Sequence, residues 1–463
     1  MKTSNFIKLG YALFIYAFLV SCEDFVEIDT PTHRIVGETV FNDEATAESA
    51  MQGIYNQLMR ADFSGGWQNS ITALAGLSSD NLEALRPANV SYQEFDQHEI
   101  LPENTGNLAL WSSAYNIIYM ANSIIEGLQD SEIETGVRNS LMGEARFIRA
   151  FTYFHLTNLY DEVPLLLTTD YNQNAKASRN SSEAIYAQII LDLTEARELL
   201  SEEYRNGERT TVNKFVATAL LARVHLYLEN WQEAEELSSE VISETGTYEI
   251  LDSLDQVFLP NSSEALWQIS PIGRGNSLTH TNEGSIFIIH PNSPASSDFK
   301  LNDSLVAGFE PGDLRLSSWI GYHQELEVYY PFKYKDQNSN NSITEYSMVM
   351  RLAEQYLIRS EARLRLNNAE GAVSDLNVLR KRAGMEPISA QVTDGETLLN
   401  LIMIERRHEL FSEWGHRWFD LKRTGTFADV FASNPLWEPT DVWYPIPDQE
   451  RMNNPNLTQN QGY

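Results

Sequence analysis

Two stretches of the chain set flat aromatic side chains beside short polar ones. In the first, Trp67, Asp80, Asn81, Arg86 and Tyr92 fall within 61–108; in the second, Trp319, Tyr322 and Tyr329 fall within 244–346. A pyranose ring has apolar C–H faces and an equatorial belt of hydroxyls. An indole or phenol can stack on the face while Asp, Asn and Arg side chains satisfy the belt. Such a site needs shape and hydrogen bonds and no perturbed pKa. Each ring has the alternative of being a packed core residue. Trp319 precedes Ile320-Gly321-Tyr322 in a stretch with no helical stripe to bury it, which predicts an indole facing the ligand. The pattern predicts a site that draws on both stretches and uses no cofactor.

Acid–base chemistry has one candidate. In ERRHELFSEWGHRWFDL, Glu405, Glu409, Glu413 and Asp420 alternate with Arg406, Arg407 and Arg417. Glycoside hydrolysis needs one carboxyl kept protonated in an apolar pocket while its neighbour stays ionised. Adjacent guanidinium groups push both values down instead. This constellation therefore predicts a structural ion-pair network that locks a C-terminal helix to the rest of the fold. His408 and His416 lack the HExxH spacing, which argues against zinc, and neither G-x-S-x-G nor a Gly-rich phosphate loop occurs. A weaker signal suits calcium. Asp336, Asn338, Asn340 and Ser342 take positions 1, 3, 5 and 7 of a calcium loop. Position 6 is Asn341 instead of Gly, and position 12 is Ser347 instead of a bidentate Glu, so Glu345 would have to substitute. The alternative is a plain polar loop.

The N-terminus carries a different chemistry. Lys2 and Lys8 precede an uncharged apolar run from Leu9 to Val20 that reaches only about 18 Å as a helix, short of a ~30 Å bilayer core. It reads as a signal peptide over residues 1–21. Leu19-Val20-Ser21-Cys22 is similar to the bacterial lipobox, in which the cysteine is diacylated and becomes the first mature residue. Cys22 is the only cysteine of the 463 residues, so neither a disulfide framework nor a Cys-based zinc site is available. Glu23-Asp24 resembles the export signal that sends Bacteroidetes lipoproteins to the cell surface. Residues 22–37, broken by Pro31 and Gly37, read as an acylated tether. With 33 Lys+Arg against 65 Asp+Glu, the formal charge is −32, which disfavours nucleic acid and headgroup binding. Membrane attachment is expected through the lipid anchor only.

The remainder, 38–463, must position these residues, and its pattern is mainly α. Helices are predicted over 45–59 behind an Asn42 cap, 109–128, 141–160, 181–200, 231–242 and about 394–414, with further helical stripes at Phe215, Ala219, Ala222 and Leu226, at Ala353, Leu357, Ser360 and Leu364, and at Ala372, Leu376, Leu379 and Ala383. In 141–160, Phe147, Phe151 and Phe154 form one stripe. Leu221-Ala222 and Ala234, with Trp231, have tetratricopeptide spacing, and Ser360 with Ala372 repeats it. About four helix pairs emerge, over roughly 42–245 and 350–385, followed by a C-terminal block at 394–463. The insertions 61–108 and 244–346 are long irregular segments, and the second is dense in aromatics. Long loops inside a compact protein carry function.

Four blocks then resemble a known family: GEARFIRAFTYFHLTNLYDEVPLLL (143–167), RLAEQYLIRSEARLRLNNAEGAVSDLNVLRKRAGM (351–385), ERRHELFSEWGHRWFDLKRTG (405–425) and YPIPDQERMNNPNLTQNQGY (444–463). They look like the signature blocks of the SusD/RagB family of surface-exposed nutrient-binding lipoproteins. One departure is Trp414-Gly415, where many members place glycine directly after the glutamate. The resemblance implies a tetratricopeptide-like helical scaffold with long irregular insertions forming a ligand-binding face. It also implies a lipid-anchored, cell-surface position at the outer membrane, an oligo- or polysaccharide ligand, and a SusC-like TonB-dependent transporter as partner. Other readings are a peptide binder of the same fold, as RagB-like relatives imply, and a helical glycoside hydrolase.

Overall fold

The computed structural model describes residues 40–389, 391, 392 and 394–463. The signal peptide, Cys22 and the tether lie outside the described residues. In chain order the helices are α1 (Glu44–Arg60), α2 (Ile71–Leu77), α3 (Val90–Asp96), α4 (Thr105–Gln129), α5 (Thr135–Tyr160), α6 (Tyr171–Asn174), α7 (Ser182–Leu199), α8 (Lys214–Tyr227) and α9 (Trp231–Ser243). They continue as α10 (Asn282–Phe287), α11 (Asp303–Ala307), α12 (Leu314–Trp319), α13 (Leu352–Arg365), α14 (Ala369–Arg382), α15 (Gly395–Leu410), α16 (His416–Arg423), α17 (Phe427–Val430) and α18 (Asp448–Asn453). Short strands complete the fold: β1 (Leu82–Ala84), β2 (Ala265–Ile269), β3 (Phe299–Leu301), β4 (Ile320–His323), β5 (Val328–Pro331) and β6 (Ser347–Arg351). Among the described residues no helix is long and apolar enough to cross a membrane.

The scaffold is a stack of the long helices: α4 packs on α5, α5 on α7, α8 on α9, α9 on α13 across the second insertion, and α13 on α14. The α5 stripe of Phe147, Phe151 and Phe154 is fully buried, and Phe151 meets Trp267 and Trp414 edge-on at 5.1 and 5.0 Å. Ala222 and Ala234 are completely covered and share a cluster with Ile358 and Ala362, so small side chains let α8, α9 and α13 approach closely. Ser360 Oγ donates to the Ala372 carbonyl at 2.8 Å, tying α13 to α14. The cap of α1 is Asp43, whose carboxylate accepts from the Thr46 amide at 3.0 Å, one residue later than the predicted Asn42.

The C-terminal helix also differs from its predicted 394–414 span. It ends at Leu410, and Ser412 and Trp414 take positive φ. Two buried cations stop it: Lys333 Nζ donates to the Glu409 carbonyl at 2.8 Å and Arg351 Nη2 does so at 2.6 Å. That carbonyl would otherwise be free to accept the next helical hydrogen bond.

Candidate functional site

The two insertions are joined. β1, from the first, pairs antiparallel with β3, from the second, in the register Leu82↔Leu301 and Ala84↔Phe299. Asp298, immediately before β3, is the hub of this junction. Its side chain accepts from Arg86 Nε at 2.7 Å and from Gln68 Nε2 at 2.9 Å, and its carbonyl accepts the Leu85 amide at 2.7 Å. Beside Gln68, the Trp67 side chain is left 41% exposed. Gly66, at φ +68°, presses on the Glu283 carboxyl below, where any Cβ would collide.

Tyr322 and Tyr329 sit opposite each other on the β4–β5 hairpin, ring centroids 4.9 Å apart and tilted by 50°. Tyr322 is exposed and Tyr329 half-buried. β5 packs beside β3, so the hairpin adjoins the β1–β3 junction that carries Arg86. Trp67, Arg86, Tyr322 and Tyr329 are thus brought onto elements that abut, with Trp67 and Tyr322 exposed and Tyr329 partly covered by the core. Tyr92 is not available: it is buried, packs on Phe299 at 5.2 Å, and its hydroxyl is pushed up to about 12 by burial and then by the Asp298 charge.

Trp319 corrects the expectation. Its indole is fully buried at the end of α12, donates from Nε1 to the Leu254 carbonyl at 3.2 Å, and meets Phe258 edge-on. Lys333, Arg351 and Arg382 lie 4.8, 5.7 and 5.4 Å from its ring. The ring covers a buried ionic cluster and offers no ligand platform.

That cluster contains the predicted Glu405, Glu409 and Glu413. Arg351 bridges Glu413 and Glu264, each at 2.9 Å, and also reaches Glu409. Arg315 holds Asp313, Glu405 and Glu409 at 2.7, 2.6 and 3.0 Å, and Arg382 joins Glu264 to Glu409. Burial opposes ionisation of Glu409, but the guanidinium groups of Arg382, Arg351 and Arg315 hold it well below the usual carboxylate range. Arg406 and Asp420 belong to a neighbouring buried pair at 2.8 Å, extended by Arg423 to Glu361.

Arg407 and Arg417 depart from that network. They converge on Asp80 in a cleft of about 690 Å³, with Arg417 at 2.6 and 3.0 Å and Arg407 at 2.9 Å. Arg407 Nε also donates to Asn81 at 2.9 Å. Asp80 and Asn81 are therefore engaged by the protein itself and stand apart from the aromatic face. Burial opposes the Asp80 charge, yet the Arg417 hydrogen bond and both guanidinium groups keep it below its ordinary value. Asp96, on the same cleft, is pushed up to about 6 by burial.

The calcium-loop residues do not converge. Glu345 is buried and turned inward, accepting the amides of Lys335 at 2.6 Å and Asp336 at 3.2 Å, whereas Asn338, Asn340 and Ser342 are exposed. Among the described residues no cluster of three or more His, Cys, Asp and Glu could hold a metal.

Glu283 gives the Trp67 loop a pH signature. Its Oε1 accepts from Ser347, its Oε2 has no partner among the described residues, and burial pushes it up to about 7. A carboxyl raised in the folded state stabilises the fold below its unfolded value of about 4.5, and that contribution is lost as pH rises through 7. Glu283→Gln should match wild type at pH 4.5 and exceed it by about 2–4 kcal/mol at pH 8. Urea unfolding of both proteins across this range checks the difference. Buried histidines, whose pKa is lowered, titrate in both proteins alike and cancel. Parallel curves would show that Glu283 titrates normally.

Sequence reasoning missed Gln68 and Asp298 on the aromatic face, and Glu264, Arg315, Lys333, Arg351 and Arg382 in the ionic cluster. Only Arg351 and Arg382 stood in a quoted block; for the others no local pattern signals a partner far away in sequence.

A sequence model of the SusD family matches residues 315–463, and one described as "Starch-binding associating with outer membrane" matches 42–226. SusD-like protein P25 of Formosa agariphila is 25% identical over 540 residues, covering 100% of both chains. Starch-binding protein SusD of Bacteroides thetaiotaomicron is 31% identical over 176 residues, which is 35% of this chain and 28% of that protein. Among solved structures, a SusD superfamily protein from Bacteroides vulgatus superposes with a TM-score of 0.80 at 20% identity, covering 92% of this chain and 100% of the other. A laminarin-binding SusD-like protein superposes at 0.76 and 24% identity, covering 91% and 100%.

Proposed function

Because the chain belongs to the SusD/RagB family, we propose that it is a glycan-binding lipoprotein which captures oligo- or polysaccharide without cleaving it and delivers it to a SusC-like TonB-dependent transporter. Acylation at Cys22 would hold it at the outer membrane, exposed on the cell surface. The observation that carries the ligand class is the abutting of the two insertions, which leaves Trp67 and Tyr322 exposed and Tyr329 half-buried on adjoining elements. Starch- and laminarin-binding relatives support the same class.

Non-catalytic binding fits the carboxylates. Glu409, Glu413 and Asp420 are buried and held ionised by guanidinium groups, with no access for a glycosidic oxygen. The Asp80 cleft does pair a raised carboxyl, Asp96, with a lowered one. Both oxygens of Asp80 are taken by Arg417 and Arg407, however, which leaves it a poor nucleophile or base.

Trp67→Ala combined with Tyr322→Ala should weaken the dissociation constant by about 5- to 150-fold for each ring that stacks on the ligand, with a melting temperature close to wild type because both rings are exposed. Calorimetric titration beside a thermal melt reads both quantities. Unchanged affinity would move the site elsewhere. With Glu345 engaged by the loop's own amides, added calcium should leave the melting temperature unaltered; a rise of several degrees would restore the calcium loop.

A further inference from the structure

A second aromatic cleft lies outside both insertions. Its floor is one face of α4, where Trp111, Tyr115 and Tyr119 recur at four-residue spacing. One wall is the segment from Pro164 through α6, and the other is α18 with the residues after it. Two adjoining cavities of about 500 and 340 Å³ share Tyr115, Leu166, Tyr171 and Asn174.

The walls are built to stay in place. The Tyr115 hydroxyl donates to the Pro164 carbonyl at 2.9 Å, and its ring packs on Trp111 at 4.9 Å. Asn122 Nδ2 donates to the Leu166 carbonyl at 2.9 Å, and Asn174 Nδ2 to the Thr168 carbonyl at 2.7 Å. Across the cleft, Asn454 and Asn456 donate to the carbonyls of Ala177 and Lys176 at 2.7 and 2.8 Å, which stitches the segment after α18 to the opposite wall. In this fixed frame Tyr171 is 79% and Tyr119 53% exposed, and neither hydroxyl has a hydrogen bond among the described residues. Asn453 is exposed beside them, and Glu450 commits one carboxylate oxygen to Ser112 at 3.1 Å. Exposed flat rings on a preformed groove, edged by short amides and a carboxylate, are the chemistry of sugar recognition and cost little ordering on binding.

We propose that this cleft is a second carbohydrate site, taking a neutral oligosaccharide segment. Its ring faces stack on Tyr171 and Tyr119, and its hydroxyls meet Glu450, Asn174 and Asn453. Apart from tyrosines, the one ionisable side chain that lines it is the Glu450 carboxylate, so an acidic sugar is disfavoured. The inference rests on the glycan-binding reading for the class of polymer encountered, but none of its residues lies on the insertion face. Two sites on one chain would grip a long polymer by avidity while each holds a short oligomer weakly.

Affinity gel electrophoresis in laminarin, amylopectin, xylan and galactomannan tests this, with wild type, Tyr119→Ala/Tyr171→Ala, Trp67→Ala/Tyr322→Ala and the fourfold variant run together. On whichever polymer retards wild type, Tyr119→Ala/Tyr171→Ala should weaken retention about tenfold and the fourfold variant should migrate freely. Asn453→Ala should weaken retention with its melting temperature unchanged. Retention of Tyr119→Ala/Tyr171→Ala equal to wild type would overturn the second site while leaving the insertion face intact. Wild type retarded by none of the polymers would overturn both readings together.

Discussion

Arg351→Ala should destabilise the chain by about 3–5 kcal/mol, the cost of taking the shared cation from three buried carboxylates. Glu264, Glu409 and Glu413 all share this guanidinium, with Arg382, Arg315 and Lys333 as their remaining cations, and each is completely or almost completely buried. A loss of that size is a large share of the 5–15 kcal/mol that typically holds a domain folded, so poor soluble yield and an early urea midpoint are expected. Arg417→Ala is the contrast, because Arg417 meets Asp80 at the edge of an open cleft. Its loss should cost about 1–2 kcal/mol. If Arg351→Ala unfolded at the same urea concentration as Arg417→Ala, the buried cluster would not be the keystone described above.

Trp319→Ala should also act through stability, at about 3–5 kcal/mol. The indole is fully buried, bonded to the Leu254 carbonyl, and lies over Lys333, Arg351 and Arg382. Removing it opens a cavity directly above ionised groups and invites water into the cluster. Glycan affinity of the protein that remains folded should match wild type. A variant that melted normally but bound a glycan tenfold more weakly would return Trp319 to the ligand face.

Trp319 also shows where reading the chain alone stops. The segment around it has no apolar periodicity, and what buries its ring comes from Leu254, Phe258 and the distant ionic cluster. No local pattern encodes such a partner. The scaffold was legible for the opposite reason: Phe147, Phe151 and Phe154 repeat with the helical period, and Ala222 and Ala234 are small where helices must touch, so each signal is contained within a few turns. The placement of the candidate site residues was legible in part. Trp67, Tyr322 and Tyr329 lie on the joined insertions as anticipated, while Asp80 and Asn81 are held by Arg407 and Arg417 from the C-terminal block. Charge pattern alone placed those arginines in the buried network, because helical spacing does not say which side of a helix faces a cleft.

On the proposed function, this chain binds a glycan without cutting it. The most direct measurement is a calorimetric titration of the chain against a panel of purified polysaccharides and peptides, with reducing ends assayed in the same samples. The expected result is saturable binding of at least one polysaccharide, none of the peptides, and no new reducing ends after prolonged incubation. Binding of peptides alone, or release of reducing ends from the bound glycan, would contradict the account.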